Sequence, residues 1–184
     1  VREVAILFEN YLWRGNRATK RSADNFNAFK SNNYPALAKI GLGIHFDRDA
    51  LNRILHPDGL KVHYQLDPNV IAIDLYPGLS ERVLRYQLAT PGVKGIVLRT
   101  YGTGNAPTWP WFVNAIRETV ERGVVILNIT QCVNGGVHPG RYVSSDILTA
   151  SGVVPGLDMT FEAAMTKMMF LFGMGLEPKE VRRR

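Results

Sequence analysis

Two runs near the middle of the chain, "VKGIVLRTYG" at 93–102 and "VVILNITQC" at 124–132, are apolar almost without interruption. A strand with one wet face would be polar at every second position. A strand that is apolar at nearly every position is covered on both faces, which is the mark of a parallel sheet. Between the two runs lies "WPWFVNAIRETVERG", helical in pattern, with Pro110 in its first turn and Gly123 at its end. The same alternation extends both ways. "NVIAIDLYPG" is a strand. "SERVLRYQLATPG" is a helix with Ser80 as N-cap and Glu81 in its first turn. "SSDILTASG" is a short helix, "VVPGLD" a brief strand and "TFEAAMTKMMFLFG" an apolar helix capped by Thr160. Parallel neighbours need crossovers of roughly a dozen residues, and these helices supply them. The pattern β-α-β-α-β-α-β-α predicts an open parallel sheet with helices on both faces.

The stretch before residue 69 has a different texture. "VREVAILF" predicts a strand, and Gly15-Asn16 predicts the turn that follows "YLW". Ser22 is placed to cap a short helical turn over "ADNFNAF", and Asn32, Asn33 and Pro35 mark a loop. Residues 44–68 read as irregular, with "HPDG" as a turn, and predict a linker between two parts.

Composition narrows the partners. The chain has 184 residues and a formal charge of +6. Its basic clusters, "RGNRATKR" and "VRRR", lack the interleaved aromatics of a nucleic-acid platform and read as solvated surface. No run is apolar for the length of a membrane span. The opening "VREVAILFENYLW" lacks the order of a signal peptide. The single cysteine, Cys132, permits no intrachain disulfide. A cytoplasmic protein is expected, with neither nucleic acid nor membrane as partner.

Ligands of open parallel sheets gather beyond the carboxyl ends of the strands. Residues 76–78, 99–107 and 130–142 fall there. Arg99 ends an apolar run, where a guanidinium can hold a carboxylate through two parallel hydrogen bonds. The other reading of Arg99 is an ion pair with an internal carboxylate such as Asp74 or Asp146. Gly102 and Gly104 let backbone approach a ligand. Cys132 is either a small buried thiol or a nucleophile, and no histidine stands at local spacing to activate it. His45, His56, His63 and His138 show no metal-ligand spacing. "GTGN" is not a dinucleotide fingerprint, and there is no G-x-S-x-G. These residues alone indicate a small parallel α/β domain whose loops suit a small anionic or zwitterionic ligand.

Several motifs in order carry a resemblance. "EVAILFENYLWRGNRATKRSADNFNAFKSNNYPALAKIG", "VLRTYGTGNAP", "ILNITQCVNGGVHPGRY" and "ASGVVPGLDMTFEAAMTKMMFLF" resemble the cytoplasmic, type I L-asparaginases. The resemblance implies an α/β fold. Residues 1–43 would be the remnant of an N-terminal α/β domain, 44–68 a linker, and 69–184 a small C-terminal parallel α/β domain. It implies hydrolysis of asparagine to aspartate and ammonia through a threonine acyl-enzyme. The family's Gly-Gly-Thr and Thr-Asp-Thr motifs, which carry the nucleophile and its partners, do not occur in these 184 residues. The chain therefore reads as a fragment, inactive by itself.

Lys20 matches the family's catalytic lysine, although a lysine in a basic run is otherwise plain surface charge. Asn105 and Tyr142 match positions that reach the active site of a neighbouring subunit; read by themselves they are a turn residue and a rim aromatic. Thr19, Arg99 and Cys132 match an effector pocket for a second asparagine. Ala18, adjoining both Thr19 and Lys20, departs from the threonine that family members often carry there. The likeness further implies L-asparagine as substrate, a homodimer or homotetramer, and no cofactor or metal. A non-catalytic amino-acid-binding or dimerisation module is the alternative function. A nucleotide-binding domain is disfavoured by the missing phosphate loop.

Overall fold

The computed structural model describes residues 1–52, 61–140 and 143–184. The chain divides into two compact units, Val1–Tyr64 and Gln65–Arg184.

The first unit is built from short antiparallel strands. β1 (Ala5–Phe8) and β2 (Tyr11–Arg14) form a hairpin in which Ala5 faces Arg14 and Phe8 faces Tyr11. The hairpin reversal therefore falls at Glu9-Asn10, where Glu9 takes φ 52° and no turn dipeptide marks it; the expected turn at Gly15-Asn16 is present as well. Gly15–Arg17 is a single 3-10 turn. β3 (Thr19–Lys20) and β4 (Phe29–Lys30) make a separate two-stranded pair. Between them the expected helical turn does not form. The Ser22 hydroxyl accepts from the backbone N–H groups of Asp24 (3.2 Å) and Asn25 (3.1 Å), a local bond that competes with helix propagation. β5 (Ala38–Ile40) and β6 (Ile44–Phe46) complete a sheet in the order β1-β2-β5-β6. β6 lies in the stretch read as irregular; three residues are enough for a strand when β5 supplies the ladder. The "HPDG" turn lies outside the described residues.

One polar cluster ties this unit together. Glu3 accepts from Nε and Nη2 of Arg14 and from the N–H of Asn52 (2.9 Å). Arg14 also donates to the Ala50 carbonyl (2.9 Å), and its guanidinium lies 4.3 Å from the ring centre of Tyr34. The Arg14 hydrogen bond holds the Glu3 carboxyl below the usual carboxylate range. A depressed carboxylate contributes stability that is present above its unfolded pKa and lost as pH falls through the folded one. Glu3→Gln is thus expected to cost about 1 kcal/mol at pH 7. The difference from the parent should shrink as urea unfolding is repeated from about pH 5 down to pH 3. An undiminished difference at pH 3 would show that the cost comes from packing and not from charge.

The second unit carries the predicted alternation. Its elements are β7 (Val70–Asp74), α1 (Glu81–Leu88), β8 (Gly95–Thr100), α2 (Pro110–Glu121), β9 (Val125–Thr130), α3 (Val143–Ala150), β10 (Val154–Pro155), α4 (Phe161–Gly173) and a single turn, α5 (Pro178–Val181). All pairings are parallel, in the order β10-β9-β8-β7. The order is monotonic, so successive right-handed crossovers fall on one side of the sheet. Leu84 and Leu88 of α1, Phe112 and Ile116 of α2 and Leu148 of α3 accordingly share one core with Ile73, Ile96, Leu98 and Ile126. Val97, Val125, Leu127 and Ile129 point the other way, onto Ala164, Met168, Leu171 and Phe172 of α4. Alternate side chains of one strand thus enter two cores, which is why the runs are apolar throughout. Thr160 caps α4 by accepting from the Ala163 N–H (3.1 Å), and Ser80 accepts from the Val83 N–H (3.4 Å) at the start of α1.

Candidate functional site

The carboxyl edge of the parallel sheet is where charge first meets the apolar strands. Asp74 and Arg99 are register partners on β7 and β8. Their side chains join, Arg99 Nη1 to Asp74 Oδ1 at 3.0 Å. The guanidinium also lies 5.1 Å from the ring centre of Phe161 at the start of α4. The internal carboxylate is therefore Asp74. Asp146 is engaged elsewhere, accepting from the Gly140 N–H (2.8 Å). Asp74 meets Nη1, while Arg99 Nε is buried without a hydrogen-bond partner. Such a donor is costly to desolvate, and Asp74 does not satisfy it.

Beneath the edge lies a polar layer that pattern reading missed. The Thr100 hydroxyl donates to Asn128 Oδ1 (2.7 Å), and both residues are buried. The Thr130 hydroxyl donates to the Gly102 carbonyl and accepts from the Cys132 N–H (2.9 Å). Gln131 uses both hydrogens of its amide, donating to the carbonyls of Leu75 (2.7 Å) and Arg99 (2.8 Å). Its backbone N–H donates to Thr100 (2.9 Å). One side chain thus ties the tips of β7 and β8. The signal available in the sequence was the polar run Asn128, Thr130, Gln131 ending a buried strand, since buried polar groups must find partners.

These bonds seat three loops against one another. Tyr101 and Asn105 exchange backbone hydrogen bonds (3.0 and 2.8 Å), closing the turn that carries Gly102 (φ 50°) and Gly104 (φ 109°). The His138 N–H donates to Thr103, and the Val137 N–H to Leu157. Gly104 is needed for two reasons: its left-handed backbone, and a Cβ there would stand 2.8 Å from a Val137 methyl carbon. Gly136 is confined more tightly, because a Cβ would lie 2.5 Å from the Leu157 carbonyl oxygen. Asn105 is held partly exposed on this edge.

The predicted site residues divide between the units. Arg99, Asn105 and Cys132 belong to the second, at its carboxyl edge. Cys132 lies two residues beyond β9 and is exposed, which corrects the reading of a small buried thiol: the chain has already left the sheet. Thr19 and Lys20 belong to the first unit, on β3, opposite Lys30 and Phe29. Lys20 is exposed and Thr19 partly buried, while Ala18 before them is buried. Tyr142 lies outside the described residues. Among the described residues no group of three or more His, Cys, Asp or Glu side chains is placed to hold a metal, and no helix is long and apolar enough to cross a membrane.

Comparison with known proteins follows this division. Residues 69–184 match the family model described as "Glutaminase/Asparaginase C-terminal domain", and residues 1–52 match "Asparaginase, N-terminal". L-asparaginase 1 of Escherichia coli K12 is 40% identical over 184 residues, covering all of this chain and 54% of its own length. The 60 kDa lysophospholipase of Homo sapiens is 40% identical over 171 residues, 93% of this chain and 30% of that protein. The crystal structure of L-asparaginase I from Vibrio cholerae superposes with a TM-score of 0.91 at 38% identity, covering 98% of this chain and 54% of the other. The chain spans about half the length of the bacterial relatives it matches. With a family model over most of its length and an earlier domain of the same family before it, the chain belongs to the asparaginase family.

Proposed function

We propose that the protein to which these two units belong is an amidohydrolase that converts L-asparagine to L-aspartate and ammonia. The observation that carries this reading is the order and extent of the likeness: two asparaginase domains in sequence on one chain, at 40% identity across all 184 residues. In the proposed reaction a threonine hydroxyl attacks the side-chain amide carbon and gives up its proton. The C–N bond breaks, nitrogen leaves as ammonia, and water then cleaves the ester to release aspartate. The threonine belongs to a Gly-Gly-Thr motif that these residues do not contain. Lys20 relays the proton. Asn105 and Tyr142 orient the substrate amino group in the active site of a partner copy within a homodimer or homotetramer.

Arg99 and Cys132 form the second unit's share of an effector site for a second asparagine. The unpartnered Nε of Arg99 supports this, because a carboxylate approaching that side would satisfy it while Asp74 keeps Nη1. Asparagine saturation curves for the complete protein and for its Arg99→Ala variant test both levels. Turnover of asparagine by the parent, with a sigmoidal curve that becomes hyperbolic in the variant, is the expected outcome. A parent without turnover removes the activity. Hyperbolic curves in both remove only the effector site.

A further inference from the structure

The turn that carries Asn105 is loose by composition. Gly102 and Gly104 both take left-handed backbone (φ 50° and 109°), and glycine is the residue least held by its own conformational preferences. The backbone pair between Tyr101 and Asn105 closes the base of the turn. Two further bonds reach its outer part from other loops. The His138 N–H donates to the Thr103 carbonyl (3.1 Å), and the Thr130 hydroxyl donates to the Gly102 carbonyl.

Thr130 is fixed where it stands. It is the last residue of β9, buried, and in register with Thr100 of β8. Its β-branched side chain has little rotamer freedom. Its oxygen is engaged on both sides, donating to Gly102 and accepting from the Cys132 N–H (2.9 Å). A hydroxyl carries one proton, so committing that proton to Gly102 sets its direction. The Asn105 amide rests on the residue held in this way: a Cβ on Gly102 would stand 3.5 Å from Asn105 Nδ2, ordinary van der Waals contact. Holding Gly102 therefore holds the floor beneath the Asn105 amide.

We propose that Thr130 is a positioning residue for recognition of the substrate's α-amino group. Through Gly102 it aims the Asn105 amide, and so it sets the preference for an amide substrate that carries that amino group over one that lacks it. The inference rests on the role given to Asn105 above and adds the residue that aims it. To test it, the complete protein is given L-asparagine and succinamate, the same amide without the amino group, in one solution. The ratio of aspartate to succinate formed follows the ratio of the two kcat/KM values, and both amides meet the enzyme in the same state. Asn105→Ala is expected to lower that ratio about tenfold, and Thr130→Val about three- to tenfold, the worth of roughly one hydrogen bond. Thr130→Ser keeps the hydroxyl and should stay within about twofold of the parent. The double variant should fall no lower than Asn105→Ala alone, because Thr130 acts through Asn105. A merely structural role would slow both amides alike and leave the ratio unmoved. Gly102 and Cys132 are exposed, so water can take up the bonds that Thr130→Val removes, and Thr130→Ala gives the same comparison if the valine variant fails to fold. A parent-like ratio in Thr130→Val while Asn105→Ala lowers it, additive losses in the double variant, or no rescue by serine would each overturn the proposal alone. An unchanged ratio in Asn105→Ala, or no product from the parent, would overturn the reading beneath it and the proposal with it.

Discussion

If the proposed reaction holds, Lys20→Met in the complete protein is expected to lower kcat by about 10²- to 10⁴-fold, the usual worth of a positioned proton-transfer group. The substitution is mild for the fold. Lys20 is exposed at the end of a two-residue strand, and its pairing with Phe29 is made by backbone. Methionine keeps the unbranched stem and removes only the ammonium. The melting temperature should therefore stay within a degree or two while turnover collapses. KM should change far less than kcat, because a proton relay acts in the transition state and not on ground-state binding. Ammonia release against asparagine concentration gives both constants. A merely solvated lysine would leave turnover near normal, and that result would remove Lys20 from the reaction. The 184-residue chain supplies the companion measurement: lacking the Gly-Gly-Thr and Thr-Asp-Thr motifs, it should release no ammonia with or without Lys20. Activity in this chain that disappears in Lys20→Met would contradict the threonine mechanism.

The second unit was legible because its strands obey one rule over many residues. Ile96, Val97 and Leu98 are all fully buried, each on the side its position dictates, so an unbroken apolar run translates directly into a two-faced sheet. The first unit follows no such rule. Its strands are two to four residues long, too short for either period to show. Its hairpin turns at Glu9-Asn10 without a glycine, so no turn dipeptide marked that reversal, whereas the turn at Gly15-Asn16 was readable. At the site, the choice between a ligand and an internal partner for Arg99 could not be made from sequence, since it depends on register: Asp74 and Arg99 are 25 positions apart and become neighbours only through the β7–β8 alignment. Gln131 was missed for the same reason. Its two acceptors, Leu75 just beyond β7 and Arg99 on β8, meet only through the same alignment. Lys20 could be singled out only through the resemblance, because exposure and a basic neighbourhood describe any surface lysine.

Phe112→Ala is expected to cost the second unit about 3–5 kcal/mol, the range for deleting a large buried aromatic. Phe112 is completely buried, the largest side chain so placed among the described residues. It projects from the first turn of α2 into the core shared with Ile96 and Leu98, and meets Trp111 edge-on at 5.9 Å. α2 is held by the face that Phe112 anchors, and Ile116 one turn later cannot close the gap without moving the helix. Trp109, the residue just before α2, is 53% exposed. Trp109→Ala should therefore cost roughly 1 kcal/mol or less, although the side chain removed is larger. Urea unfolding of both variants, followed by circular dichroism so that the probe survives loss of a tryptophan, gives the comparison. A domain of this size has about 5–15 kcal/mol in all, so Phe112→Ala leaves it marginal. The loss has a consequence at the sheet edge. The loop bearing Asn105 runs straight into α2, with Ala106 buried in the same core. Loosening α2 should release the Tyr101–Asn105 turn before the strands separate, and amide exchange at Asn105 should rise in Phe112→Ala while exchange at Ile126 follows global unfolding. Equal protection at both positions would mean that the loop is held by the Thr130–Gly102 bond and the strand tips, independently of the helix.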